Sequence, residues 1–184
     1  MKTLVIAFFA SLLLFGCGSP DLDDPKYLDD ILAEAIDEDR LQWRGKKGEE
    51  LYYAQNEQTP YSGWSKKMYD NGQVEVLRHL KDGKTDGLRT IWYDNGQKKL
   101  QGNYKDGKTN GLMTSWADNG QKQMEGNYKD DKMDGLWTAW HMNGQKKLEG
   151  NYKDGKTDGL HIVYKEDGTI QERVIFKNGE PVKD

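Results

Sequence analysis

Apolar and polar positions alternate through the last two thirds of this chain, broken about every 12 residues by Asn-Gly or Asp-Gly. Alternation at period two between such dipeptides predicts antiparallel strands joined by tight turns. The pattern repeats at a strict spacing of 24 residues: Gly63, Gly87, Gly111, Gly135 and Gly159 share one beat, Trp92, Trp116, Trp140 and Tyr164 another, and Tyr104, Tyr128, Tyr152 and Phe176 a third. Five copies at one period predict a repeat array with two strands per copy, an architecture that builds a surface rather than a pocket.

Parity constrains the turns. Leu88, Trp92, Leu100, Gly102 and Tyr104 all carry even numbers, and the period preserves that parity. A two-residue turn at Asn95-Gly96 would put Trp92 and Leu100 on opposite faces. A three-residue loop, Asp94-Asn95-Gly96, gathers them on one. The same reasoning assigns a three-residue loop to Lys105-Asp106-Gly107, with Gly96 and Gly107 at positive φ. Asp131 replaces the glycine of the fourth loop, so local strain is expected there.

Ten strands about 4.8 Å apart make a sheet of roughly 45 Å. Its even face would carry Trp64, Leu88, Trp92, Leu112, Trp116, Leu136, Trp140, Leu160 and Tyr164, with Gly102, Gly126 and Gly150 leaving bare backbone on which rings can lie. This stripe reads as core. Because a single sheet has nothing behind it, curling, cover from an N-terminal helix or face-to-face dimerisation must hide it.

The units before the array differ. Pro25 starts a helix of about four turns, since Tyr27, Leu28, Ile31, Leu32, Ala35 and Ile36 recur at helical spacing. Its apolar side either packs on the repeats or docks a partner. Leu41 to Ala54 reads as an irregular hairpin turning around Gly45 to Gly48, and Thr59-Pro60-Tyr61 breaks the chain before the first copy. Glu172, Arg173 and Lys177 make the last hairpin more charged, as a terminal cap requires. The divisions are 1–16, 17–40, 41–60 and 61–184.

Composition narrows the partners. The formal charge of -4 hides an asymmetry, for Asp21 to Asp39 holds nine acidic residues against one basic. The repeats are nearly neutral, with 21 basic and 19 acidic residues from Tyr61 to Asp184. Neither part has the basic face that nucleic acid demands. At the N-terminus, Lys2 and the apolar run Leu4 to Phe15 have the form of an export signal, too short for a comfortable membrane span. Leu14-Phe15-Gly16-Cys17 resembles a bacterial lipobox, and Cys17 is the one cysteine in the chain. Lipidation of Cys17 uses that thiol and anchors stably through two or more acyl chains; the alternative is an ordinary signal peptide with a chance cysteine. Gly18 rather than Asp after the cysteine points to the outer membrane.

Gly-Leu-x-x-x-Trp-x-x-Asn-Gly-Gln followed by Gly-Asn-Tyr-Lys-Asp-Gly-Lys, repeated from about Tyr61 to Pro181, resembles the bacterial variant of the MORN repeat. This is the type found in YwqK-family antitoxin proteins. The resemblance implies a mainly β fold, an elongated antiparallel β-hairpin meander of five 24-residue repeats with a short N-terminal helix. It implies a binding role and brings no catalytic residues.

His79, His141 and His161 share no metal-ligand spacing, and the Asp-Asn-Gly and Lys-Asp-Gly turns offer too few carboxylates for calcium. The chain therefore reads as non-enzymatic, with no cofactor. First strands differ between copies at odd positions: Arg89, Ile91 and Tyr93; Met113, Ser115 and Ala117; Trp137, Ala139 and His141; His161 and Val163. Aromatics, Arg and Met are enriched at protein interfaces. The candidate partner residues are Arg89, Tyr93, Met113, Trp137 and His141. The expected function is an anchored envelope scaffold binding a protein, with an immunity protein against a secreted toxin and a wall- or glycan-binding module as alternatives. A homodimer through the aromatic face is a further expectation.

Overall fold

Asp24 opens the first element by accepting hydrogen bonds from the backbone N–H groups of Lys26 (3.0 Å) and Tyr27 (3.4 Å). Pro25 follows at a position where no N–H is needed. The resulting helix α1 (Pro25–Glu34) has 10 residues, about three turns rather than the four expected. It stops because Ala35 turns extended and Ile36–Asp37 (β1) pairs in parallel with Ser65 and Lys66. The computed structural model describes residues 22–182. The expected leader (1–16), Cys17 and the start of the tether lie outside the described residues.

A turn of 3-10 helix (Glu38–Arg40) leads into a separate hairpin, β2 (Leu41–Arg44) and β3 (Leu51–Ala54). The array follows. Copy one is β4 (Gly63–Met68) with β5 (Val74–Lys81), and copy two is β6 (Lys84–Trp92) with β7 (Lys98–Lys105). Copy three is β8 (Lys108–Trp116) with β9 (Lys122–Lys129), and copy four is β10 (Lys132–Trp140) with β11 (Lys146–Lys153). Copy five is β12 (Lys156–Tyr164) with β13 (Ile170–Lys177), closed by β14 (Glu180–Pro181). These strands form one 12-stranded meander in chain order, with β1 along one edge and β14 along the other. Both edge strands have two residues, and Pro181 lacks an N–H, so neither offers a template for further pairing.

The even-numbered positions form one face only in the first strand of each copy, where Trp64, Leu88, Trp92 and their counterparts stay together; Leu100, Gly102, Tyr104 and their counterparts lie on the other face. The loop at Asp94-Asn95-Gly96 does have three residues, closed by hydrogen bonds from Tyr93 N–H to Gln97 C=O (2.8 Å) and from Gly96 N–H to Tyr93 C=O (3.0 Å). One step inside it, however, Ile91 opposes Leu100 while Trp92 opposes Lys98. Lys99 is therefore a bulge that reverses the parity the loop had set. Every copy has this shift. The other turn also differs from expectation. Lys105 opposes Lys108, so the turn has two residues, and Asp106 (φ 51°) and Gly107 (φ 85°) both sit at positive φ, a type I′ turn. In copy three the second of these positions is Asp131, at φ 67°. Its carboxylate accepts from the Thr109 N–H (2.7 Å) and hydroxyl (2.9 Å), which offsets the strained backbone.

The real faces follow from the register. One face carries Trp64, Leu77, Leu88, Thr90, Trp92 and their counterparts, and α1 lies on it. Leu22, Ile31, Ala35, Leu77, Leu88 and Trp92 form the buried cluster there, flanked by Tyr27, Leu28, Leu32, Trp64 and Val74. The opposite face carries Arg78, Arg89, Leu100, Gly102, Tyr104, Met113 and their counterparts. At its beginning the buried Arg78 guanidinium pairs with Glu38, donates to Ser65 Oγ (3.2 Å) and lies 4.3 Å from the Tyr52 ring centroid. Helix and hairpin thus sandwich the first copies, leaving a single layer beyond.

Candidate partner-binding surface

The face opposite α1 is organised around glycines. Gly102, Gly126 and Gly150 take the middle of β7, β9 and β11, where Arg89 and Met113 flank the first, Met113 and Trp137 the second, and Trp137 and His161 the third. Without Cβ atoms at these positions, the larger side chains lie down on the sheet. Trp137 covers Gly126 and His161 covers Gly150, each where a Cβ would stand, whereas Met113 Cε keeps 3.4 Å from that point at Gly102. Between the columns run the recurring rings. Trp137 meets Tyr152 edge-on at 6.2 Å, Tyr152 meets His161 at 5.1 Å, and His161 meets Phe176 at 5.0 Å. Burial among these rings pushes the Tyr152 phenol above its ordinary pKa.

The structure brings Arg89, Met113 and Trp137 into this one column. Arg89 lies 5.9 Å from the Tyr104 ring centroid and forms no ion pair among the described residues. Its Nε and the Trp137 indole Nε1 are buried without a hydrogen-bond partner among the described residues. The Trp137 N–H lies over Gly126, so the ring presents an apolar face outward. Arg89 supplies positive charge, Met113 an adaptable thioether and Trp137 a rigid anchor, all on a stiff support.

Tyr93 and His141 belong elsewhere. They sit at the three-residue turns, where the Tyr93 hydroxyl donates to the Trp116 carbonyl (3.0 Å) and His141 Nε2 to the Tyr164 carbonyl (3.1 Å). Tyr69 does the same toward Trp92 (2.8 Å). Asn71, Asn95 and Asn143 donate from their amides to Asp94, Asp118 and Glu166 carbonyls at 2.7–2.8 Å. On the other edge, backbone N–H groups of Gly107, Asp131, Gly155 and Gly179 donate to Thr85, Thr109, Met133 and Thr157 carbonyls. Copies one, two and four are thus stitched to the next at the three-residue turns, whereas copy three, with Ala117 in the place of Tyr93, is tied to copy four there by the strand pairing, with no such side-chain bond among the described residues. Recurrence of a polar aromatic just before the turn, at Tyr69 and Tyr93, was the sequence signal for this role.

The α1-bearing face holds a second candidate surface, where the apolar stripe expected to be core is buried only in part. Leu88 is 7% exposed and Trp92 6%, but Leu112, Leu136 and Leu160 are 45%, 47% and 43% exposed. A helix of 10 residues spans about 15 Å and cannot cover a sheet of roughly 45 Å. Chain length alone contained that signal. Between the apolar strands, Lys122 pairs with Glu125 (2.6 Å) and Lys146 with Glu149. A cleft of about 450 Å³ lies beside the start of α1, lined by Leu22, Pro25, Leu28, Trp92, Lys98 and Trp116.

Among the described residues no three His, Cys, Asp or Glu side chains gather as metal ligands, and no helix is long and apolar enough to cross a membrane. The MORN repeat variant family matches residues 85–106, 109–130 and 133–154. Copies two, three and four are therefore MORN-variant repeats, and copies one and five continue their hairpin geometry. No curated protein matches the chain.

Proposed function

We propose that this protein is a non-catalytic scaffold that binds a protein partner on the glycine-bearing face, through Arg89, Met113 and Trp137. The observation that carries the reading is the contrast within one rigid face. Its glycines and Tyr positions repeat, while the side chains lying over them change from Arg89 to Met113 to Trp137 to His161. A repeated frame gives stability, and individual residues on it give specificity. The interleaved rings favour a protein surface over a glycan, since they fill the spaces between columns rather than standing as open cages. Repeat rigidity also keeps the entropic cost of association low.

We further propose that Cys17 carries a lipid anchor in the bacterial envelope, in the outer membrane. The lipobox-like Leu14-Phe15-Gly16-Cys17 supports this reading. The acidic stretch after the anchor keeps the chain off an anionic membrane surface and the array free for its partner.

In-cell crosslinking and pull-down tests the proposal. The intact chain should recover one protein that the double variant Trp137→Ala/Arg89→Glu loses. A toxin as that protein would make this an immunity protein. Recovery of wall fragments alone, or of a protein equally retained by the double variant, would overturn the reading.

A further inference from the structure

The α1-bearing face over copies three to five poses a separate question. In copies one and two α1 lays Leu28, Ile31 and Leu32 over Trp64, Leu77, Leu88 and Trp92. Downstream the same strand pattern continues beyond the helix, with Leu112, Leu136 and Leu160 exposed, Trp116, Trp140 and Tyr164 half-buried, and Ile175 at the end 57% exposed. We propose that a second copy of this chain covers it, packed face to face about a two-fold axis near copy four.

Four features identify the occupant. First, the surface is self-complementary in charge. Polar strands carrying Lys122–Glu125 and Lys146–Glu149 alternate with apolar strands carrying Leu-x-Thr-x-Trp in copies three and four and Leu-x-Ile-x-Tyr in copy five; the two ion pairs cancel, and Arg173 at the far edge leaves a single positive charge. In an isologous interface about an axis near copy four, the centre of the patch meets its own balanced ion pairs while Arg173 at the edge stays far from its counterpart, so like-charge repulsion is small. Second, apolar strands recur every second strand, about 9.6 Å apart, so two such faces share a common spacing.

Third, the layer heights agree. A helix is about 10 Å thick, and facing sheets pack about 10 Å apart. A second sheet over copies three to five therefore continues the layer that α1 begins. The start of α1 stops the partner's terminal edge, and the cleft lined by Leu22, Pro25, Leu28 and Trp116 lies at that junction. Fourth, the area suffices. Six strands, β8 to β13, span about 29 Å, and the strand length is about 25–30 Å, giving roughly 700–850 Å² per copy against the about 800 Å² of a standard interface. This inference is independent of partner binding, because it uses the opposite face.

Sedimentation velocity of the full chain in a density-matched non-ionic detergent tests it. The expected protein mass is twice that of one chain. Leu136→Asp and Leu160→Asp, both at already exposed positions, should each weaken the dimer by more than about thirty-fold. Ala139→Asp, on the other face, should leave it unchanged, as should Trp137→Ala. Circular dichroism verifies that each variant keeps its strands. A monomeric wild type at 100 μM protein would overturn the inference, as would a dimer that Leu136→Asp and Leu160→Asp both leave intact. So would a monomer that instead binds vesicles of anionic phospholipid through Leu136 and Leu160. Loss of partner capture by Trp137→Ala with the dimer retained would bear on the partner reading alone.

Discussion

Substitution of alanine for the face glycines separates packing from propensity at one repeat position. Gly102 and Gly126 both have ordinary strand φ, so an added methyl meets no backbone penalty. In a strand that change is favourable by about 0.5–1 kcal/mol. Their neighbours differ. At Gly102 the new Cβ would lie 3.4 Å from Met113 Cε, the free end of a flexible side chain. At Gly126 it would fall on the Trp137 ring, with Cγ at 3.2 Å and Nε1 at 3.3 Å besides the closer Cδ1. The indole cannot bend away, so it must leave its rotamer or lift off the sheet, an overpacking cost of about 1–3 kcal/mol. Gly102→Ala should therefore be neutral or stabilising by up to about 1 kcal/mol. Gly126→Ala should destabilise by about 1–2 kcal/mol. Removing the ring as well should relieve the clash, so Gly126→Ala and Trp137→Ala together should cost less than their sum, by about 1–3 kcal/mol. Urea unfolding, with hydrogen exchange resolved by copy because arrays open in parts, measures all four proteins. Equal losses at Gly102 and Gly126, or strict additivity in the double variant, would refute the placement of Trp137 on Gly126.

Other substitutions probe the stitches and the N-terminal cap. Tyr93→Phe removes the hydroxyl bound to the Trp116 carbonyl. It should cost about 1 kcal/mol and speed amide exchange in copies two and three but not in copy five. Arg78→Met breaks the pair with Glu38, the bond to Ser65 and the contact with Tyr52. Because Glu38 is partly solvated, the expected loss is about 1–3 kcal/mol, with proteolysis appearing first between Arg40 and Tyr61. Asp158 accepts from Lys177 Nζ (3.0 Å) and from the Asn178 N–H (3.2 Å). The Lys177 ammonium foremost, then that N–H, lowers its pKa below the ordinary carboxylate value. A depressed folded pKa stabilises above the unfolded value near about 3.9 and is lost as pH falls through the folded one. Amide protection in the last hairpin, taken relative to the intrinsic rate at each pH, should therefore fall below about pH 4, and Asp158→Asn should remove that dependence.

The repeat, its hairpins and its atypical ends were legible because each rests on a signal local in sequence: a fixed period, Asn-Gly turns, and Pro25 before a helical stripe. The faces were not. Counting by twos cannot register a bulge, and Lys99 lies beside Lys98, so nothing in residue type marks which one is extra. One uncounted residue per hairpin moved Leu100 and Tyr104 away from Trp92. The recurring Gly87, Gly111, Gly135 and Gly159 hid a second irregularity. Each stands at φ 103–117° where the first strand holds two more residues than its partner. Arg89, Met113 and Trp137 stayed together because they lie on like positions of like strands. Tyr93 and His141 separated from them because the strand ends before the turn, which aims their polar tips at the next copy's carbonyls.

Adjacent residues Leu112 and Met113 point to opposite faces, which allows the central claim to be tested at two neighbouring positions. A photocrosslinking amino acid placed at 113, and separately at 112, reports in living cells what touches each face. Position 113 should yield a discrete adduct with a different protein, absent from position 112. The same foreign protein captured equally at both positions, or no adduct at 113, would contradict it.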